Sequence, residues 1–63
     1  MKVSKEKFEL ICARKLLCIT EVSRDMGTTT QNLNKILNRG ECRPVFAGRL
    51  AKTLGVDVTE IIE

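Results

Sequence analysis

The sequence contains no His, Trp or Tyr, and its only aromatic residues are Phe8 and Phe46. Histidine is the side chain that most often performs acid–base catalysis, and aromatic rings provide the stacking surfaces of many RNA and single-strand sites. A chain of 63 residues forms one domain that buries only about 60% of the surface of its unfolded form, which leaves little room for an enclosed cleft. We therefore predict a binding module and not an enzyme, with no catalytic residue.

Cysteine is also scarce, with three residues (Cys12, Cys18 and Cys42) and no CxxC pair. An odd number of cysteines without a signal-like segment predicts reduced thiols in a cytoplasm. A structural zinc site usually takes four Cys or His ligands, so we expect neither a metal nor a cofactor. Apolar runs such as Leu16–Ile19 are too short to cross a bilayer, so no membrane association is expected.

The charges are unevenly distributed along the chain, whose net charge is +3. The last seven residues carry three acidic side chains and no basic one, whereas Thr28–Lys52 carries five basic side chains against Glu41 alone. A basic middle beside an acidic end favours a polyanionic partner. The alternative is an ordinary solvated face that happens to be basic.

Apolar spacing and capping residues predict five helices and no strand, which makes the chain all-α. The predicted helices cover Lys5–Lys15, Ile19–Met26, Thr30 to Leu37 or Asn38, Pro44–Leu54, and a last short helix from Asp57 to Ile62. Ser4 and Thr29 are suitable N-caps, and Asp57 with Glu60 forms a capping box. Gly27 and Gly55 stand where a helix end favours a left-handed residue.

The segment from Ile19 to Leu37 has the pattern of a helix-turn-helix unit. Two helices that cross closely need a small residue at the crossing, here Ser23, and a glycine in the turn, here Gly27. Leu33 and Ile36 supply the apolar inner face of the second helix. In such units the second helix enters the DNA major groove.

Four segments, in this order and at these distances, resemble the Cro and phage-repressor family of helix-turn-helix proteins, also called the xenobiotic-response-element type. They are Val22-Ser23-x-x-Met26-Gly27-Thr28-Thr29, Leu33-x-x-Ile36, the loop Gly40–Pro44, and Leu50-Ala51-x-x-Leu54-Gly55-Val56-x-x-x-Glu60-Ile61. The resemblance runs from about Phe8 to Ile62. It implies a compact five-helix bundle with a central helix-turn-helix, one DNA-binding domain over residues 1–63, and double-stranded DNA as the partner.

The resemblance also implies which residues contact DNA. The positions that read base edges fall on Thr30, Gln31, Asn34 and Lys35. Glutamine can pair with adenine N6 and N7, and lysine can donate to guanine O6 and N7. The phosphate-contacting positions fall on Thr29, Asn38, Arg39 and Arg43.

Two departures from the family pattern carry expectations of their own. The family often has a partly buried Arg–Glu pair where Cys12 and Leu37 stand, and since both charges are missing together, we expect these two side chains to meet between the first and third helices. The family commonly has a DNA-contacting Gln where Ile19 stands. This chain therefore lacks one backbone anchor, and Ile19 is a candidate contact for a protein partner instead.

The function implied is that of a sequence-specific transcriptional regulator, foremost a repressor, encoded by a prophage, a mobile element or a bacterial operon. We expect it in the cytoplasm, on the nucleoid when bound, and as a homodimer at least on DNA. The C-terminal helix around Ile62 is a candidate dimer surface. The alternative is a protein-interaction module, antitoxin-like or anti-repressor, that keeps the fold but binds another protein.

Overall fold

The computed structural model describes residues 1–63 and contains no strand. Its four α-helices are α1 (Lys5–Lys15), α2 (Ile19–Met26), α3 (Thr30–Arg39) and α4 (Pro44–Leu54). The all-α class is confirmed, and α1, α2 and α4 have their predicted bounds. Helix α3 continues one to two residues further than predicted, because it ends at Gly40, whose φ of +76° is left-handed. None of the helices is long and apolar enough to cross a membrane.

The core lies between all four helices and both chain ends. Helix α2 packs against α3 and α4. The buried cluster consists of Val3, Phe8, Ile11, Cys12, Val22, Leu33, Leu37, Leu50, Ala51, Leu54 and Ile61. Leu33, predicted to face inward, is in it, whereas Ile36, predicted on the same inner face, is half-buried and outside the cluster. Met26 and Phe46 are half-buried and pack against the cluster. Ala47, which was not predicted to face inward, is fully buried.

The prediction of a fifth α-helix is wrong, because the segment after Asp57 forms a single 3₁₀ turn, Val58–Glu60. The Asp57 carboxylate accepts from the backbone N–H of Thr59, so the capping box with Glu60 does not form. The backbone of the following residues is engaged elsewhere: the carbonyl of Ile61 accepts from Ser4 N, and the N–H of Glu63 donates to Lys2 O. The C-terminal helix considered as a dimer surface is therefore absent, and Ile62 lies half-buried against the core.

The N-terminal residues form a short extended segment that joins the α3–α4 loop to the C-terminus. Val3 N donates to Gly40 O, and isolated bridges pair Lys2 with Glu41 and Val3 with Ile62. The Val3 side chain is buried in the same cluster as Phe8. Val3 precedes the Ser4 cap and Phe8 is the fourth helical residue, which is the spacing of a hydrophobic staple. The spacing was available in the sequence, but Val3 was not predicted to be buried.

Three helices end in the same hydrogen-bonding pattern, but one of them lacks glycine. Gly27 after α2 and Gly55 after α4 are left-handed, with φ of +74° and +75°. At the end of α1 the left-handed residue is Leu16, with φ of +56°, and Leu17 N donates to Cys12 O across it. The Leu16 side chain is 90% exposed, so no burial offsets the backbone strain.

We expect Leu16→Gly to stabilise the protein by about 1 kcal/mol, because glycine adopts a left-handed conformation without the Cβ clash. Chemical denaturation of the two proteins measures the difference. Leu16→Ala is the matched control, since it removes the exposed side chain but keeps the clash, and it should leave the free energy of unfolding nearly unchanged. Equal stabilisation by both substitutions would show that the exposed side chain, and not the backbone conformation, is unfavourable.

Candidate nucleic-acid interface

The turn between α2 and α3 is fixed to the end of α2 by two backbone hydrogen bonds. Gly27 N donates to Arg24 O, and Thr28 N donates to Ser23 O. A Cβ added to Gly27 would meet no atom within 4 Å, so the glycine is required for its positive φ and not for space. This turn sets where α3 begins relative to α2.

A pair of hydroxyl groups ties α2 to the first residue of α3. Ser23, which is 2% exposed, donates its hydroxyl hydrogen to Thr20 O at 2.9 Å. A serine hydroxyl has one hydrogen, so the 3.0 Å contact between Ser23 Oγ and Thr30 Oγ1 must be donated by Thr30. Thr30, predicted to read a base, is half-buried. Because its hydroxyl hydrogen is donated to Ser23, the hydroxyl can only accept a further hydrogen bond.

The start of α3 is capped by Thr29, which was predicted to contact phosphate. Thr29 Oγ1 accepts from Asn32 N at 3.1 Å, and the Asn32 side chain in turn donates to Thr28 Oγ1. The Thr29 hydroxyl hydrogen is not used in the cap, so it remains available as a donor. No acidic side chain lies in the first turn of the helix.

The outward face of α3 is polar, and the structure brings several predicted residues together on it. Gln31, Lys35 and Asn38 are exposed and follow one another at helical spacings of four and three, opposite buried Leu33 and Leu37. Neither the Gln31 nor the Lys35 side chain is held by a hydrogen bond within the protein. Asn34 is placed differently: it is half-buried and lines a groove toward α1.

The end of α3 and the loop after it carry the remaining predicted contacts. Asn38 Oδ1 accepts from Lys5 Nζ of α1 at 2.6 Å. Arg39 is exposed, and its guanidinium approaches Glu41 O at 3.4 Å. Arg43 is the exposed residue that precedes α4. No signal in the sequence pointed to Lys5, because it lies 33 positions before Asn38 and outside the helix-turn-helix unit.

The groove beside α3 has a volume of about 460 Å³, and six of its nine lining residues are apolar. The two residues expected to meet, Cys12 and Leu37, are both buried and both line it. Burial is the main cause of the raised pKa of the Cys12 thiol, so the group is uncharged at neutral pH. Ile19 also lines the groove and is half-buried against the core, which makes it less accessible than a free contact residue.

The basic side chains between Thr28 and Lys52 form no ion pair with an acidic side chain. The only ion pair within 4.0 Å joins Arg14 to Glu60, on other elements. The five basic residues between Thr28 and Lys52 are all exposed: Lys35, Arg39, Arg43, Arg49 and Lys52. Exposed charges of one sign without partners attract a polyanion from solution, and their contact with phosphates releases the counterions of the nucleic acid.

Searches of family models, curated proteins and solved structures found no match to this chain. The candidate interface consists of the turn at Gly27, the outward face of α3, and the basic loop from Arg39 to Arg43.

Proposed function

We propose that the chain is a sequence-specific DNA-binding transcriptional regulator of the phage-repressor helix-turn-helix type, foremost a repressor. The observation that carries the proposal is the outward face of α3, where Gln31 and Lys35 stand exposed and unbonded beside a turn held by Ser23 and Thr30. Unbonded polar side chains on a rigid helix can pair with base edges without first breaking internal bonds.

We assign base recognition from the donors and acceptors of each side chain that are not already bonded within the protein. Gln31 offers both an amide donor and an acceptor, which suits adenine N6 and N7, while Lys35 offers donors to guanine O6 and N7. Thr30 retains only acceptor capacity, because its hydrogen goes to Ser23. It therefore suits the amino group of adenine or cytosine. Asn34, which lines the groove toward α1, has a secondary part in recognising bases.

Phosphate contacts are assigned to Thr29, Asn38, Arg39 and Arg43, which flank α3 at both ends. Such contacts set affinity and register and carry no sequence information themselves. All four side chains retain hydrogen-bond donors, and the loop at Arg39 is basic. The protein then lies across the DNA major groove, with α3 between two phosphate-binding regions.

One such domain buries roughly 600–1,000 Å² of its own surface on DNA, which is small for useful specificity. We propose a homodimer, at least on DNA, that reads two half-sites about 34 Å apart. We propose that the protein controls transcription by occupying an operator in a bacterial or phage genome. It would then be cytoplasmic, and bound to the nucleoid when on DNA.

The first test is selection of bound sequences from a random DNA pool. It is expected to return a symmetric pair of half-sites with defined bases at their centres. Recovery of sequences with no shared bases, although the protein is folded, would contradict the proposal.

Arg43→Ala is expected to weaken binding to every DNA sequence by a similar factor. Because one phosphate contact is lost, the slope of log K against log salt concentration should become shallower by about 0.9. Arg14→Ala is the matched control, since Arg14 is paired with Glu60 and should keep the wild-type slope. Equal slopes for the wild type and Arg43→Ala would show that Arg43 does not contact a phosphate.

A second candidate function, a protein-interaction module, is favoured by the groove and by Leu16. The groove is lined by six apolar residues, and Leu16 next to the groove residue Leu17 is 90% exposed. This function differs in its salt dependence, because binding through an apolar groove is nearly insensitive to salt while DNA binding is strongly sensitive. It gains support if Gln31→Ala and Lys35→Ala leave DNA binding unchanged.

A further inference from the structure

Lys5 and Asn38 form a contact between the first turn of α1 and the last turn of α3. Lys5 Nζ lies 2.6 Å from Asn38 Oδ1, and both residues are exposed. Glu9, four residues after Lys5, lines the same groove as Lys5 and is at the spacing of a helical ion pair, in the less favourable order with the lysine first. No Lys5–Glu9 ion pair forms within 4.0 Å, since the single pair of the protein is Arg14–Glu60.

The contact fixes which hydrogen-bonding groups the pair presents to solvent. Because Asn38 Oδ1 accepts from Lys5, the Asn38 amide turns its Nδ2 group, with two donors, away from the lysine. The ammonium keeps two further donors. The pair therefore presents donors and a positive charge, and its one amide acceptor already accepts a hydrogen bond from Lys5. A phosphodiester oxygen, which only accepts, matches such a set.

We propose that Lys5 and Asn38 together bind one phosphodiester group of DNA, so that α1 contributes a contact that lies outside the helix-turn-helix unit. The inference rests on the proposed DNA-binding function and adds to it a residue, Lys5, and a fixed amide orientation. The phosphate is held by Asn38 Nδ2 and Lys5 Nζ, next to the groups bound by Arg39 and Arg43. The site reads no base, and it sets affinity and the angle of α1 on the duplex.

The first experiment compares Lys5→Gln with Lys7→Gln in DNA binding at several salt concentrations. Both substitutions remove one charge from α1, two residues apart, but Lys7 Nζ donates to Ile62 O on another side of the helix. Lys5→Gln is expected to reduce the salt slope by about 0.9, and Lys7→Gln to leave it close to the wild-type value. Base preferences should be the same in both variants. Equal slopes for the wild type and Lys5→Gln would overturn the inference.

The second experiment is Asn38→Asp, for which a purely structural contact and a phosphate site predict opposite results. An aspartate here forms an ion pair with Lys5, so thermal stability should be equal or higher. A phosphate site, however, would then face a carboxylate, and DNA binding should weaken by about tenfold or more. Unchanged or tighter binding with retained stability would overturn the inference.

The two proposals fail separately. If the folded wild-type protein binds no DNA sequence, the DNA-binding function itself is wrong, and the phosphate site with it. If the wild type binds DNA but Lys5→Gln keeps its salt slope, only the site at Lys5 and Asn38 is wrong.

Discussion

Leu33→Ala is expected to remove most of the stability of this protein. Leu33 is fully buried at the centre of the core, on the inner face of α3. Truncating a buried leucine costs about 2–5 kcal/mol, and a core in a domain of this size rarely supplies more than roughly 3–5 kcal/mol. The melting temperature followed by circular dichroism should therefore fall by roughly 10–30 °C.

The control for this substitution is Lys35→Ala, two residues further along the same helix. Lys35 is exposed on the opposite face and makes no hydrogen bond within the protein. Its removal should change the free energy of unfolding by no more than about 0.5 kcal/mol. If Leu33→Ala lowered the melting temperature no more than Lys35→Ala, the assignment of α3's inner face would be wrong.

The double substitution Gln31→Ala with Lys35→Ala is expected to remove most of the base preference while leaving the fold intact. Each well-placed contact to a base contributes about 1–3 kcal/mol of discrimination, so losing both costs about 2–6 kcal/mol between the preferred and the wrong sequence. Competition binding with the selected sequence and with base-substituted versions of it measures the loss. Binding to unrelated DNA should fall much less, because the phosphate contacts remain.

The matched control for the double variant is Asn32→Ala, since Asn32 is exposed on α3 but its side chain is bonded to Thr28. That variant should keep the base preference of the wild type. If Gln31→Ala with Lys35→Ala discriminated as well as the wild type, α3 would not be the reading helix. The groove beside Leu17 would then become the more important surface.

Local signals predicted the helices well. Ser4 caps α1 by accepting from Lys7 N, and Thr29 caps α3 in the same way. Gly27 and Gly55 end their helices in left-handed conformations. Each of these contacts joins residues within four or five positions of one another, and so each depends on neighbours that are visible in the sequence.

Features that depend on distant parts of the chain were missed or wrongly predicted. The Asp57 segment has the pattern of a helix start, but the backbone of Ile61 and Glu63 pairs with the N-terminal residues instead. Leu16 gave no signal, because a left-handed leucine at a helix end is rare. Thr30 was assigned to base reading alone, although its hydroxyl is committed to Ser23.

The candidate interface also contains residues that could be predicted from the sequence and one that could not. Helix spacing places Gln31 and Lys35 on an outward face of α3, and charge singles out Lys35, Arg39 and Arg43, but their selection as DNA contacts came from the resemblance to the phage-repressor family. Their function as DNA contacts stays a prediction. Lys5 could not be selected, since its contact with Asn38 spans 33 positions.

The sequence by itself determined an all-α chain, the ends of α1, α2 and α4, and the two faces of α3. These follow from apolar periodicity and capping, which act over a few residues. Only the tertiary structure decided that the chain ends pair with each other, that a groove lies beside Cys12 and Leu37, and that Lys5 meets Asn38. Such contacts depend on how the helices pack together, and no short window of sequence encodes that packing.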